Sequence, residues 1–249
     1  MISQSIHLIM PMGGRGSRFS EMGFSQPKPL IPLHGKPFFY WAAESIAHFV
    51  PLKSIVFVTL KEHVEQFQID SVIRQFYPNA TIHVLDDVLN GAVLTCIEGC
   101  KEIDDDLPIV FNDCDHLFQS CEFYNFCQDE KKRQLVDGAL LTFQSNDPKY
   151  SFLRYDNNGN IIGTVEKQPV SNRAICGAYY FKNKTIFEHA TKEYLKNCTY
   201  NEYFVSGVYN ILAKNGNRLE QFNVDFHLPF GTPEEYQTAV KSELAKNVS

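Results

Sequence analysis

Apolar residues fall in short runs bounded by turn-forming residues. The first run, Ile6 to Met10, is closed by Pro11 and a glycine cluster; others cover Ser54 to Thr59, Ala80 to Leu85 and Leu107 to Phe111. Between them lie stretches with helical spacing, from about Pro37, through Phe67 to Phe76, and from Gly91 to Glu102. Short apolar runs bounded by breakers read as buried strands, and apolar positions three and four apart as the inner face of a helix. The result is a βαβαβαβ succession, which right-handed crossovers turn into a parallel sheet covered by helices on both faces.

The pattern changes after about residue 118. Val136 to Phe143, Phe152 to Tyr155 and Ile161 to Glu166 are β-rich, and Asp156-Asn157-Asn158-Gly159-Asn160 joins the last two as a hairpin turn. A strand at Ala174 to Phe181, helices near Thr185 to Leu195 and Val205 to Lys214, and a strand at Leu219 to Val224 follow. A last helix opens at Thr232, a good cap, with Pro233 at its first position. No linker, repeat or low-complexity stretch divides the chain. One α/β domain over 1–249 is expected, with halves of about 1–118 and 119–249, and, with the end near Ser249, no C-terminal repeat domain is expected.

Composition removes whole classes of function. The 249 residues are 44% hydrophobic and 21% charged, ordinary for a chain with a sizeable core. Lys plus Arg number 23 against 29 Asp plus Glu, a net charge of -6, so no global basic field exists to hold nucleic acid or an anionic membrane. No apolar run approaches the roughly 18 residues of a membrane span, and Met1 to Met12 lacks the basic start of a signal peptide. A cytoplasmic protein is expected. The seven cysteines contain no C-x-x-C pair, which fits buried reduced thiols rather than disulfides or zinc.

Against this acidic background one segment is basic. Directly after the first strand comes Pro11-Met12-Gly13-Gly14-Arg15-Gly16-Ser17-Arg18-Phe19, at the carboxyl end of a parallel strand, where open sheets bind ligands. It is not a Walker loop, because Gly16 is followed by Ser17-Arg18. It is not a dinucleotide loop either: Phe19 stands where the third glycine belongs, and Lys36-Pro37 where the acid should be. Arg15, Arg18, Lys28 and Lys36 share the stretch with a single acid, Glu21, which points to phosphate as counter-ion.

Gly13-Gly14-Arg15-Gly16-Ser17-Arg18, with Pro27-Lys28-Pro29-Leu30-Ile31-Pro32 and Gly35-Lys36-Pro37, resembles the signature of the sugar nucleotidyltransferase (nucleoside-diphosphate-sugar pyrophosphorylase) family. Asn112-Asp113-Cys114-Asp115-His116, Glu166-Lys167, Gly177-Ala178-Tyr179-Tyr180-Phe181 and Gly231-Thr232-Pro233-Glu234-Glu235 follow in the family's order. The resemblance implies a GT-A-like, nucleotide-diphospho-sugar transferase fold with a mixed, mainly parallel sheet, a nucleotide-binding first half and a β-rich acceptor lobe in the second. It implies an Mg²⁺-dependent reaction in which the phosphate of a small acceptor attacks the α-phosphorus of a nucleoside triphosphate and pyrophosphate leaves. It is nearest to short, capsule-type bacterial members, which leans toward CTP and toward capsule or surface polysaccharide precursors, although no residue distinguishes the base. A homodimer is left open.

The resemblance also distributes roles. Arg18 and Lys28 are the catalytic cations that hold the triphosphate, and Met12, Gly13, Gly14, Arg15, Gly16, Ser17, Asn90 and Gly91 surround the nucleotide. Asp115, then Asp113, is expected to hold the metal. Where the family places a second aspartate before the C-terminal Gly-Thr, this chain has Leu228-Pro229-Phe230-Gly231, and Asp225 is the nearest replacement. Lys167 is assigned to the acceptor phosphate with Glu166 and Gly177 beside it; Lys149-Tyr150, Asn172 and Asn201-Glu202-Tyr203 rank lower. His227 reads as a packed side chain. The competing reading is a GT-A glycosyltransferase using Asp113-Cys114-Asp115 as a D-x-D metal motif; the amino-terminal loop, suited to a triphosphate, argues against it. A non-catalytic subunit would be expected to lack Arg18, Lys28 or Asp115, and all three are present.

Overall fold

In the computed structural model, which describes residues 5–243, strand β1 (Ile6–Met12) leads through a five-residue helix α1 (Ser17–Glu21) and a small hairpin, β2 (Pro32–Leu33) and β3 (Lys36–Pro37), into α2 (Phe38–Ala47). Then come β4 (Leu52–Leu60), α3 (Lys61–Phe67), α4 (Ile69–Phe76), β5 (Thr81–Leu85), α5 (Ala92–Cys100) and β6 (Ile109–Asn112). The chain continues with β7 (His116–Gln119), α6 (Cys121–Gln128), α7 (Glu130–Leu135), β8 (Gly138–Gln144), β9 (Ser151–Tyr155), β10 (Ile161–Glu166) and β11 (Arg173–Phe181). It closes with α8 (Lys184–Asn197), α9 (Val205–Lys214), β12 (Leu219–Asn223), β13 (Phe226–Pro229) and α10 (Pro233–Lys241). The expectations about leader and tail rest partly on 1–4 and 244–249, which lie outside the described residues. No helix among the described residues is long and apolar enough to cross a membrane.

One mixed sheet organises the molecule. Strands β6, β1, β4 and β5 are mutually parallel; β11 runs antiparallel to β6 and carries β8, β9 and β10, with β12 beside β8. The parallel strands read as continuous apolar runs because both of their faces are covered. Alternate residues serve different cores: Leu8, Met10, Phe57 and Val110 pack on the α2 side, whereas Ile9, Val56, Val58 and Phe111 pack on the α5, α8 and α9 side. A third apolar cluster joins Phe19, Phe38 and Trp41 to Leu117, Leu228 and Phe230, so the amino-terminal loop and α10 share one support.

The sequence reading differs from the structure in three places. The helix expected over Phe67 to Phe76 starts at Ile69 as α4, because Gln68 adopts φ 51 and separates it from α3, a helix that the sequence reading did not include. Helices α6 and α7 were missed, although Ser120 and Asp129 cap them by accepting from the Phe123 and Lys132 N–H groups. The four-residue strand β7 after Asp115 was also missed; its partner β13 lies about a hundred residues later. A four-residue strand with so distant a partner carries no local signal.

Candidate active site

The glycine loop is shaped by what packs behind it. Gly16 has φ 65 at the start of α1, and a Cβ there would stand 2.7 Å from Lys28 Cβ. Glycine is therefore required for the loop to lie against Lys28. Lys28 itself is set by its prolines: Pro27 is extended (φ -62, ψ 146), and Pro29 sits in the 3-10 turn Lys28–Leu30. From there Lys28 Nζ donates to Asp115 Oδ2 at 2.8 Å. Burial disfavours the ammonium charge, but the Asp115 carboxylate outweighs it and holds the Lys28 pKa above the usual lysine range.

Two carboxylates follow β6 in one loop. Burial, then the neighbouring Asp115 charge, pushes the Asp113 carboxyl above the usual carboxylate range against the pull of Lys28. Burial acts on Asp115 as well, yet the Lys28 charge and hydrogen bond keep it below the usual range. One lysine thus serves two acids, which leaves a negative centre suited to a cation. Asp113 is placed by β11: its N–H donates to the Gly177 carbonyl at 2.9 Å. Gly177 has φ 94, and a Cβ on it would fall 2.7 Å from Asp113 Oδ2. Here β11 bulges, Ile175 facing Thr142 and Tyr179 facing Leu140. Among the described residues no group of three or more His, Cys, Asp or Glu side chains forms a metal-binding set. A hard cation held by one or two carboxylates, with water and phosphate oxygens completing its octahedron, fits this donor set.

Two cavities meet at this pair, since Asp113 and Asp115 line both. The first, about 380 Å³, is bordered by Met12, Gly13, Gly14, Gly16, Lys28 and Gly91. The second, about 500 Å³, brings together Arg18, Glu166, Lys167 and Gly177. Glu166 is buried and accepts from Ser151 Oγ at 2.7 Å and from Ser206 Oγ. Lys167 is exposed with φ 56, and its Nζ lies 5.8 Å from the centre of the Phe204 ring.

Other expected residues are placed differently. Arg18 lines the second cavity and a small pocket next to Lys28, rather than the first cavity; Ser17, opening α1, borders that small pocket only. Arg15 is exposed and outside both main cavities, tied to Glu62 at 3.0 Å and Asp87 at 2.9 Å. Asn90 lines neither, and Gly91 rather than Asn90 is the residue that precedes α5 as its cap. Asp225 is not brought to the acidic pair. Because β13 runs antiparallel to β7 with Pro229 opposite His116 and Phe226 opposite Gln119, Asp225 falls beyond the far end of β7, several residues at roughly 3.3 Å each from Asp115. There it accepts from the Cys121 N–H at 2.8 Å, at the start of α6.

The second cavity also holds groups that sequence reasoning ranked low or missed. Glu235 closes a capping box with Thr232, accepts from the Gly231 and Thr232 N–H groups at 3.0 and 3.1 Å, and pairs with Lys149 Nζ at 2.9 Å. The T-x-x-E spacing of Thr232 and Glu235 was the available signal. His116 and His227 border the cavity with rings 5.5 Å apart and perpendicular; burial lowers their pKa values to about 4 and about 3, so neither contributes charge at neutral pH.

A sequence model of the nucleotidyl transferase family matches residues 7–246. The chain belongs to this family. Among its relatives, the UTP–glucose-1-phosphate uridylyltransferase AglF of Haloferax volcanii is 24% identical over 235 residues, 91% of each chain. A Sulfolobus acidocaldarius protein named as a mannose-1-phosphate guanyltransferase is 23% identical over 190 residues; the match takes in 73% of this chain but only 50% of that relative's length. Among solved structures, the nucleoside-diphosphate-sugar pyrophosphorylase of Vibrio cholerae superposes with a TM-score of 0.81 at 24% identity, covering 94% of this chain and 100% of that one, and so shares the fold. The mixed, mainly parallel sheet expected from the sequence is the sheet observed.

Proposed function

We propose that this nucleotidyltransferase joins a nucleoside triphosphate to a phosphorylated sugar or another small phosphate ester and releases pyrophosphate. The observation that carries the reading is the meeting of two cavities at Asp113 and Asp115, with Lys28 beside the pair. One cavity is walled by a glycine loop suited to a phosphate chain, the other by cationic side chains suited to a phosphorylated acceptor. An acceptor phosphate oxygen attacks the α-phosphorus in line, a P–O bond to the acceptor forms, and the bond to the β-phosphate breaks.

This chemistry asks the chain mainly for position and charge. Lys28, fixed by two prolines, faces the reacting phosphate and neutralises charge that builds on the leaving pyrophosphate. Lys167 and Arg18 orient the acceptor phosphate from the other side, and Glu166, held by Ser151 and Ser206, accepts from acceptor hydroxyls. Asp113 and Asp115 would hold Mg²⁺, which supplies charge neutralisation between the two reactants when bound. On the capsule-type resemblance we take CTP as the nucleotide, and capsule or surface polysaccharide precursors as the destination of the product.

The test incubates the purified protein with each of the four NTPs, Mg²⁺ and a panel of phosphorylated acceptors while pyrophosphate is measured. Release only when NTP, acceptor and Mg²⁺ are all present is expected. Transfer of sugar from a nucleotide-sugar, with no pyrophosphate from any NTP, would overturn the reading.

A further inference from the structure

The segment between α8 and α9 crosses from one cavity to the other. The Tyr203 backbone docks on the turn before α5: its N–H donates to the Asn90 carbonyl at 3.3 Å, and its carbonyl accepts from the Val93 N–H at 3.1 Å. Phe204, the next residue, lines the acceptor cavity, whereas Glu202, the residue before, lines the nucleotide cavity. Sequence reasoning had grouped Asn201-Glu202-Tyr203 with the acceptor. The docking of Tyr203 is what carries Glu202 across.

The charged lining of the nucleotide cavity is divided. Lys28, Asp113 and Asp115 form one group around the 2.8 Å ion pair. Glu202 is the one charged lining residue outside it, beside the turn that contributes apolar Val88, Leu89 and Ala92. Its carboxylate is exposed and has no ion-pair or hydrogen-bond partner among the described residues. A free carboxylate alongside a triphosphate would repel it, so Glu202 suits the end of the substrate that bears no phosphate. Apolar side chains at that end offer a surface to a flat ring rather than to a sugar.

We infer that Glu202 reads the nucleobase and selects cytosine over uracil and thymine. The inference rests on the first cavity being the nucleotide site. An ionised carboxylate only accepts hydrogen bonds. Cytosine presents a 4-amino donor where uracil and thymine present a carbonyl oxygen, so the wrong pyrimidine sets lone pairs against lone pairs. A well-made carboxylate–amino contact discriminates by roughly ten- to a hundredfold.

Calorimetry on the whole chain with Mg²⁺ and no acceptor separates this inference from the proposed reaction. The wild type is expected to bind CTP at least about tenfold more tightly than UTP, and 2′-deoxy-CTP about as tightly as CTP. Glu202→Gln, an exposed and nearly isosteric change, should bring the CTP-to-UTP ratio within about threefold, because the amide donates to a uracil carbonyl. Wild-type preference for any other base, an unchanged ratio in Glu202→Gln, or equal weakening of all four NTPs would overturn the inference. A change confined to ribose against deoxyribose would do the same and make Glu202 a sugar contact. If all four NTPs bind alike and pyrophosphate is still released, only this inference falls; if none binds, the nucleotide reading of the cavity falls with it.

Discussion

The two cavities that meet at Asp113 and Asp115 are built on different principles. The first cavity, the proposed nucleotide site, takes much of its lining from a few short segments: Pro11 to Gly14 and Gly16 around the end of β1, Val88, Leu89, Gly91 and Ala92 around the start of α5, and one lysine locked between prolines. The second cavity, the proposed acceptor site, draws on more of the fold: α1, the loop after β6, the segment before β9, the end of β10, the bulge of β11, the segment before α9, β13 and the start of α10. Backbone donors are preorganised and indifferent to most substitutions, which suits a phosphate chain common to every substrate. Side chains from many separate segments change independently, which suits an acceptor that differs between enzymes. The first cavity should therefore control rate and the second acceptor affinity.

The largest effect expected from that contrast is at the junction. Lys28→Ala should lower kcat by roughly a hundredfold or more, as for a lost charge at the reacting phosphate. Steady-state pyrophosphate release on a folded variant measures it, and near-normal turnover would remove Lys28 from the reaction. Gly177→Ala tests the structural link between the halves. A Cβ at φ 94, only 2.7 Å from Asp113 Oδ2, must strain the backbone or move the carboxylate. We expect kcat to fall by roughly tenfold, with acceptor KM changed less than kcat.

Lys167→Ala divides the cavities most cleanly. Acceptor KM should rise by roughly tenfold while NTP affinity stays nearly constant; weakened NTP binding would show that the side-chain cavity does not serve the acceptor alone. Glu235→Ala removes a capping box and the anchor of Lys149, so it should cost about 1–2 kcal/mol of stability, a fall of a few degrees in Tm by thermal unfolding. The smallest effect is expected at Arg15, whose exposed pairs with Glu62 and Asp87 keep it out of both main cavities. Arg15→Ala should change kcat/KM by less than about twofold, and a large loss would mean that Arg15 swings into the nucleotide cavity on binding.

The same contrast explains what could be read from the chain in advance. The glycine loop, Lys28 between its prolines, and the acids after β6 are local features: neighbouring residues on a regular βα scaffold, each announced by composition and punctuation. Asp225 was only the nearest replacement for the family's second aspartate, and the pairing of β13 with β7 fixes its distance from Asp115, a register that is invisible without β7. Arg18 stands two residues from Gly16, yet it lies in helix α1 and lines the second cavity rather than the first.

Hydrophobic periodicity and turn chemistry were enough to specify the alternating elements and the glycine loop, because those follow from residues near in sequence; the parallel sheet followed from that alternation through the right-handed crossover rule, although its pairs, such as His7 with Ile109, are far apart. The assignment of side chains to one cavity or the other follows from contacts between residues far apart. Asp113 is held by a bulge some sixty residues later, Lys28 is tied to an acid 87 positions away, and Glu202 reaches the nucleotide cavity because Tyr203 docks on a turn more than a hundred residues earlier. Such pairings depend on how strands and loops pack in three dimensions, and no local pattern of residues encodes that packing.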